Sequence, residues 1–495
     1  MKKPLIKITN LSKSFSGVKA LQQVSITINE GEVRCLAGEN GCGKSTLIKM
    51  ISGFYQPDEG SIEINGNSYK NLSPMDAIKE GIQVIYQDFS IFPNLTVAEN
   101  IALNVQLAQN KRVINWKYVY KVAEEAINKV GINIDLSAKV ETLSVADKQL
   151  VAISRAILQN AKLIIMDEPT TALTQKEVKS LFSIINELKK EGISILFVSH
   201  KLDEVYEICD KITILRNGKN VKDGDIQEIE RRKLVEYMTG REIEDNFYQP
   251  SIQKDKALLK VDRLSKENGF NDISFELYPG EIMGITGLLG SGRTELAKSL
   301  FGLLPVDSGS IFIEEKQVKI KNVHDAIKHQ IGYVPEDRLT EGLFLSQSIG
   351  KNIVVSVIDR ILKKSKLVDN KKMNHEMDKW ITDLTIKTPS HKLPVQVLSG
   401  GNQQRVVLAK WLATNPKILI LNGPTVGVDI GSKAEIHRII REFAGRGVGV
   451  IVISDDISEV IHNCNRILVM KKGKIVNEFQ NTAITEQELG QQLSS

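Results

Sequence analysis

Gly38-Glu39-Asn40-Gly41-Cys42-Gly43-Lys44-Ser45-Thr46 fits the phosphate-loop pattern G-x-x-x-x-G-K-[ST]. A short apolar run (Val33, Cys35, Leu36) precedes it, and Leu47, Ile48, Met50 and Ile51 follow at helical spacing. A strand, a glycine loop and a helix start, in that order, aim backbone N–H groups and the helix dipole at one anion. Glycines let the backbone close around a phosphate where a Cβ would collide. On this reading Lys44 reaches the β- and γ-phosphates of a nucleotide, and the Ser45 hydroxyl ligates Mg²⁺. The competing reading is an ordinary glycine turn, against which the flanking strand and helix patterns argue.

At 495 residues the chain is long enough for more than one domain, each with its own core. A hydrophobic content of 42% with 25% charged residues is that of a globular protein. The net charge of +5 is too small for this length to mark a nucleic-acid binder, so no nucleic-acid partner is expected. The four cysteines are scattered with no C-x-x-C, which points to reduced thiols and away from a disulfide frame or zinc site. Met1-Lys2-Lys3-Pro4 carries charge but no long apolar region behind it, so no signal peptide is expected. The longest apolar run, Val448 to Ile453, is far short of the roughly 20 residues of a membrane span. Any membrane role is therefore expected to be peripheral.

The second half of the chain restates the first. Gly31-Glu32 reappears as Gly280-Glu281, Lys44 aligns with Arg293, and Gln87-Asp88 aligns with Glu336-Asp337, all offset by 249 residues. Leu143-Ser144 reappears as Leu398-Ser399, Asp167 as Asn422 and His200 as Asp455, all offset by 255. Two constant offsets imply a tandem duplication with a single net length difference, between residues 88 and 143 of the first copy. Within each copy strands alternate with helices, which predicts an α/β fold with a largely parallel core. The first copy opens on an alternating segment suited to antiparallel strands, Lys7 to Gly31. A helix-rich middle, Val97 to Leu158, comes next, then apolar strands Leu163–Met166 and Ile193–Ser199. The expected domains are 1–241 and 257–495, joined by a short polar linker, 242–256, that holds Pro250 and Ser251.

Two further motifs carry chemistry. Leu163-Ile164-Ile165-Met166-Asp167-Glu168 is an apolar strand that delivers two acids at its C-terminal end, where Mg²⁺ beside a phosphate needs oxygen ligands. Asp167 is expected to hold the metal and Glu168 to orient or deprotonate the attacking water. Leu398-Ser399-Gly400-Gly401-Asn402-Gln403-Gln404-Arg405 sets a hydroxyl and two glycines just before an apolar helix, Val406 to Leu412. That suits an anion at a helix N-terminus, although alone it reads better as a serine N-cap with a glycine turn.

Taken together these residues resemble the ATP-binding-cassette ATPases. More narrowly, the whole chain is similar to the tandem-cassette ATPases of bacterial ribose, galactose and xylose importers. The resemblance rests on the phosphate loop, Leu398–Gln404, Asp167-Glu168-Pro169-Thr170, Phe197-Val198-Ser199-His200 and Gly287-Leu288-Leu289-Gly290-Ser291-Gly292-Arg293-Thr294-Glu295-Leu296. It implies that each copy is a phosphate-loop α/β core with an antiparallel β subdomain and a helical subdomain. It also implies that Phe15 stacks on adenine and that Gln87 senses the γ-phosphate and Mg²⁺. The loop of Gln87 would contact the membrane partner, and His200 the γ-phosphate. In the family two cassettes pair head to tail, so that each ATP lies between one cassette's phosphate loop and the other's Leu-Ser-Gly-Gly segment. The implied partners are a membrane permease, as a homodimer, and an extracytoplasmic sugar-binding protein, with this chain at the cytoplasmic face of the cell membrane.

That pairing sorts the motifs into two sites. The first combines Gly38 to Thr46, Gln87, Asp167, Glu168 and His200 with Ser399, Gly400 and Gly401, and Asp429 is expected to reach across to it. The second combines Arg293, Thr294, Glu336, Asn422, Gly423 and Asp455 with Leu143-Ser144-Val145-Ala146-Asp147. Asn422 is a poorer Mg²⁺ ligand than a carboxylate. Gly423 has no side chain to position water. Glu336 and Asp455 add negative charge near a triphosphate. Loss of both acids at 422 and 423 departs even from the sugar-importer branch, so one hydrolytic site and one degenerate site are expected. The alternatives are a nucleoside importer's ATPase of the same layout and a tandem-cassette factor acting on ribosomes. The latter usually has a long charged linker and two intact sites. A DNA-repair cassette ATPase would be expected to show zinc cysteines. Trp116, Trp380 and Trp411 are expected to pack in helices, and Lys363-Lys364-Ser365-Lys366 and Lys371-Lys372 to lie on solvated helix faces.

Overall fold

The computed structural model describes the chain except for residues 1–2, 16, 87–89, 109–113, 172, 200, 242–251, 253–254, 481–483 and 495. Two compact units divide it, Met1–Ile243 and Glu244–Ser495. The division falls within the expected linker, most of which lies outside the described residues.

Each unit is built on a six-stranded sheet. In the first, the spatial order is Lys219–Asp225, Lys211–Arg216, Val33–Ala37, Ser194–Val198, Leu163–Asp167 and Ile82–Ile85. The central five strands pair in parallel and only Lys219–Asp225 runs antiparallel. Val33–Ala37 and Ser194–Val198 are buried at every residue. Both faces of a parallel sheet are covered, so such strands read as continuous apolar runs without alternation. A second, antiparallel sheet joins Val18–Asn29, Pro4–Phe15, Glu59–Ile64 and Asn67–Tyr69. The expected helical middle forms Val97–Ala108, Trp116–Val130 and Val145–Leu158, with its own apolar cluster around Ile101, Val119, Ala123 and Val151.

The second unit repeats this order strand for strand: Lys474–Gln480, Arg466–Lys471, Ile282–Gly287, Gly449–Ile453, Ile418–Asn422 and Ile331–Val334. The duplication is therefore visible in topology as well as in sequence. It is not limited to one length difference, however. Ser12 pairs with Glu59 in the first unit and Ser265 with Ser308 in the second. Glu59 and Ser308 differ by 249, but Ser12 and Ser265 differ by 253. Four residues are thus missing from the first hairpin of the second unit, whose return strand is Phe270–Leu277 where the first unit has the longer Val18–Asn29. A hairpin shortens at its exposed tip without disturbing the paired strands behind it, which leaves the later offset intact.

Two smaller expectations are corrected. Trp380 and Trp411 are buried, but Trp116 is 49% exposed. It opens its helix one turn ahead of Val119, the first buried residue there, and so overhangs the core. Lys363 to Lys366 form a turn closed by the Lys363 amide on the Leu367 carbonyl, so this charge run is exposed but not helical.

Candidate active site

Strands Val33–Ala37, Ser194–Val198 and Leu163–Asp167 are adjacent and parallel. Their C-terminal ends therefore bring the glycine loop, Ser199 and the Asp167–Glu168 pair to one edge, where open α/β sheets bind ligands. Gly38, Gly41 and Gly43 all have left-handed backbone, with φ of 147°, 81° and 110°. Gly43 is constrained by space as well: a Cβ there would lie 2.6 Å from Leu21 Cδ2 and 2.7 Å from the Ala20 carbonyl oxygen. Helix Lys44–Ile51 springs directly from Gly43 and no side chain caps it, so its first amides point at the cradle the glycines form. The Lys44 ammonium donates to the carbonyls of Gly38 at 2.7 Å and Glu39 at 3.1 Å, which keeps it over the loop. Asn40 and Ser45 are both exposed at its rim. Burial raises the Cys42 thiol, so this side chain adds no negative charge where an anion would sit.

Asp167 closes the sheet side of the cradle. Burial raises its carboxyl first, the Glu168 charge raises it further, and Lys44 and Lys49 partly offset both. A divalent cation at that carboxylate would relieve the same penalty. Glu168 follows in left-handed backbone at φ 49°, its amide bonded to the Val198 carbonyl at 3.0 Å. For a residue other than glycine this conformation costs ~1–2 kcal/mol, and such strain concentrates at functional positions.

The Phe15 and Tyr55 rings meet in a T-shaped contact, with centroids 5.0 Å apart, and Phe54 meets Tyr55 at 5.2 Å. Lys13 Nζ lies 5.7 Å from the Phe15 ring centre. Tyr55 and Phe54 were not singled out by the sequence, although Gly53-Phe54-Tyr55 aligns with Gly302-Leu303-Leu304 at the constant offset. The Ser14 amide donates to Asp58 and the Glu267 amide to Asp307, which aligns the residues that follow, Phe15 and Asn268. The second unit thus has no aromatic at any of these three positions. Of the expected site residues, Gln87 and His200 lie outside the described residues.

The second unit keeps the left-handed backbone at Gly290 and Gly292, with φ of 79° and 93°, but not the chemistry. Arg293 is buried, donates to the Gly287 carbonyl, and faces the Asp455 carboxylate at 3.6 Å. Its guanidinium is thus partly neutralised from within. Asn422 is buried, and a neutral amide stands there where the first unit has the Asp167 carboxylate. Gly423 adopts φ 59°, and a Cβ there would lie 2.9 Å from Val426 Cγ2 and 3.2 Å from Glu336 Cγ.

The two Leu-Ser segments differ as well. In the first unit the Ser144 hydroxyl accepts the Asp147 amide at 3.1 Å and donates to the Asp147 carboxylate at 2.8 Å. That helix start is self-capped and carries its own anion. Ser399 stands at the equivalent position, but its hydroxyl caps no amide and accepts instead from Asn402 Nδ2 at 3.0 Å. The serine N-cap expected there is therefore one of position only. Gly400 is needed locally too, since a Cβ would come within 2.9 Å of Arg338 and 3.1 Å of the Gly427 carbonyl. Asp429, expected to reach across, accepts the Ser432 amide at 2.9 Å and caps its own helix, Ile430–Gly445.

The family model for ABC transporters matches residues 21–171 and 270–426, one stretch in each unit. The chain belongs to the ABC transporter family. It is a tandem-cassette ABC ATPase with one cassette in each unit, and it binds ATP. The chain is 41% identical over 487 residues to the ribose import ATP-binding protein RbsA of Clostridium perfringens (strain SM101), covering 98% of this chain and 97% of that protein. It is 40% identical over 491 residues to the galactose/methyl galactoside import ATP-binding protein MglA 1 of Photobacterium profundum, covering 99% of each. A crystal structure of the ADP conformation of a single ABC cassette is 30% identical over 46% of this chain and 93% of that one, with a TM-score of 0.42. Among the described residues no helix of either cassette is long and apolar enough to cross a membrane.

Proposed function

We propose that this chain hydrolyses ATP to energise import of a sugar, a monosaccharide or related small carbohydrate, through a separate membrane permease. The reading is supported by near-full-length similarity to proteins named for ribose and galactose import. A permease, as a homodimer, and an extracytoplasmic sugar-binding protein are the proposed partners, with the chain peripheral at the cytoplasmic face of the membrane. The permease and binding protein, not this chain, would select the cargo.

The proposed hydrolytic site is that of the first cassette. The amides of Gly38 to Thr46 and the Lys44 ammonium hold the β- and γ-phosphates, and Phe15, backed by Tyr55, offers its face to adenine. Ser45, Gln87 and Asp167 hold Mg²⁺, which would neutralise charge developing on the phosphates. Glu168 orients the attacking water and accepts its proton, and His200 contacts the γ-phosphate. Ser399, Gly400 and Gly401 of the second cassette complete the site in a head-to-tail pairing. The uncapped Ser399 supports their role, because the amides behind it are left for a phosphate. The site of the second cassette is proposed not to turn over. The observation that carries this asymmetry is the Arg293–Asp455 pair beside Asn422 and Gly423.

Glu168→Gln should lower steady-state ATPase by at least ~100-fold while nucleotide binding persists. Substantial residual turnover would show that the second site, or another base, does the work. Loss of uptake of one labelled sugar from a panel, in cells lacking the chain, tests the cargo class.

A further inference from the structure

We propose that Glu204 is a positioning residue for hydrolysis, whose carboxylate locks together the two loops that carry Glu168 and His200. This rests on the roles proposed above for those two residues. Glu204 lies on helix Leu202–Ile208 and is buried. One carboxylate oxygen accepts the Thr170 hydroxyl at 2.6 Å and the Ser199 hydroxyl at 3.1 Å. The other faces the Lys201 ammonium at 3.1 Å, and that ammonium also donates to the Thr170 carbonyl at 3.1 Å. Ser199 Oγ in turn accepts the Lys201 amide at 3.1 Å.

Each of these partners stands next to a proposed catalytic position. Thr170 follows Glu168 by two residues, and Ser199 and Lys201 flank residue 200. The two loops leave neighbouring strands, since Asp167 pairs with Val198 and the Glu168 amide bonds to the Val198 carbonyl. Beyond that bond, nothing in the sheet ladder among the described residues fixes one loop against the other. A single buried carboxylate bridging both supplies the missing constraint through charge-assisted hydrogen bonds, which are short and directional. Glu168 is held in left-handed backbone, so its carboxylate direction depends on how firmly the following turn is anchored at Thr170.

The second cassette provides an internal control. Glu459 there accepts the Thr425 hydroxyl at 2.7 Å and the Ser454 hydroxyl at 2.5 Å, and it faces His437 Nε2 at 3.1 Å. It performs the same tying of loops, but beside Gly423 and Asp455 it has no catalytic acid or histidine to position. A merely architectural role therefore makes Glu204 and Glu459 equivalent, whereas a positioning role separates them.

The test compares Glu204→Gln, Glu204→Asp, Ser199→Ala and Glu459→Gln in the full chain by thermal melting, nucleotide binding, and kcat and KM for ATP, with Glu168→Gln alongside. Glu204→Gln should lower kcat at least ~10-fold with KM changed less than ~2-fold, because misplacement by a fraction of an ångström acts on the chemical step. Ser199→Ala, a smaller change that keeps the carboxylate, should lower kcat in the same direction if Glu204→Gln does not fold. Glu204→Asp should recover part of the loss. Glu459→Gln should lower the melting temperature comparably and leave kcat within ~2-fold. Unchanged kcat in both Glu204→Gln and Ser199→Ala, or equal kcat losses in Glu204→Gln and Glu459→Gln, overturns the proposal while leaving Glu168 in place. Full activity of Glu168→Gln overturns the underlying assignment and this inference with it.

Discussion

Glu168 and Gly423 occupy the same turn in nearly the same conformation, φ 49° and 59°. Where the acid is present the backbone is strained, and where it has been replaced the residue is the one that bears this conformation freely. The proposed role of the Glu168 side chain accounts for the strain, since the fold accepts glycine at the equivalent place. Asp167 supports a prediction about pH. Its carboxyl lies above the ordinary value of 3.8, chiefly through burial and then through Glu168. A Mg²⁺ ligand must be deprotonated, so Mg²⁺-dependent nucleotide affinity should fall as pH drops, starting above the range of an ordinary aspartate. In folding the sign is opposite: without metal, ionisation of Asp167 removes stability as pH rises through the same window. Titration of Mg·ATP against pH should show this step in the parent chain. In Asp167→Asn affinity should be weaker and flat, and an unchanged step in that variant assigns the titration elsewhere.

At the scale of elements, the proposed loss of the second site involves whole segments and not two residues alone. The shortened hairpin puts Asn268 where Phe15 stands, Leu304 replaces Tyr55, and Val426 and Glu336 crowd the space that any side chain at position 423 would need. Asn422→Asp with Gly423→Glu should therefore not restore turnover in a Glu168→Gln background. Activity should stay within ~2-fold of Glu168→Gln alone, since neither adenine stacking nor an unpaired phosphate cation returns with the acids. Recovery to a tenth of parental rate would show the acids were the only defect. Other element-scale features have been kept by different means. In the first cassette Arg34 joins Glu32 at 2.6 Å, and its other end reaches Asp223. In the second the arginine comes from the neighbouring strand, Arg466, which meets Glu281 at 2.8 Å and Glu478 at 2.9 Å. Glu32 with Glu281, and Asp223 with Glu478, fall at the two constant offsets. Leaving either buried carboxylate alone costs ~3–5 kcal/mol, so the charge has been retained while its strand has changed.

At the scale of the molecule, the two units have separate cores and the proposed site needs residues from both. Residues Met1–Ile243 carry the loop, the acids and the aromatic pair. Expressed alone, this unit should bind Mg·ATP but hydrolyse it at least ~100-fold more slowly than the full chain, because Ser399, Gly400 and Gly401 are absent. Parental rates from the isolated unit would mean the signature segment of the second cassette is not required.

Much of this was legible without coordinates. A glycine loop between an apolar strand and a helix, two acids closing another apolar strand, and a repeat at fixed offset follow from local rules: backbone freedom, strand burial and helix starts are properties of neighbouring residues. The α/β class, the duplication and the identity of the intact phosphate loop came from these alone. What the sequence concealed lies between residues far apart along the chain. Tyr55 against Phe15, Asp455 against Arg293, Ser144 capping its own Asp147 amide while Ser399 caps nothing, and Glu204 bridging Thr170 to Ser199 depend on side-chain directions and distances. The missing four residues of the second hairpin were likewise hidden, because an exposed tip leaves no periodic trace and only strand register reveals the gap. Composition and spacing determine which chemistry is available; only the folded sheet, by bringing the ends of neighbouring strands to one edge, decides which groups can act on the same phosphate.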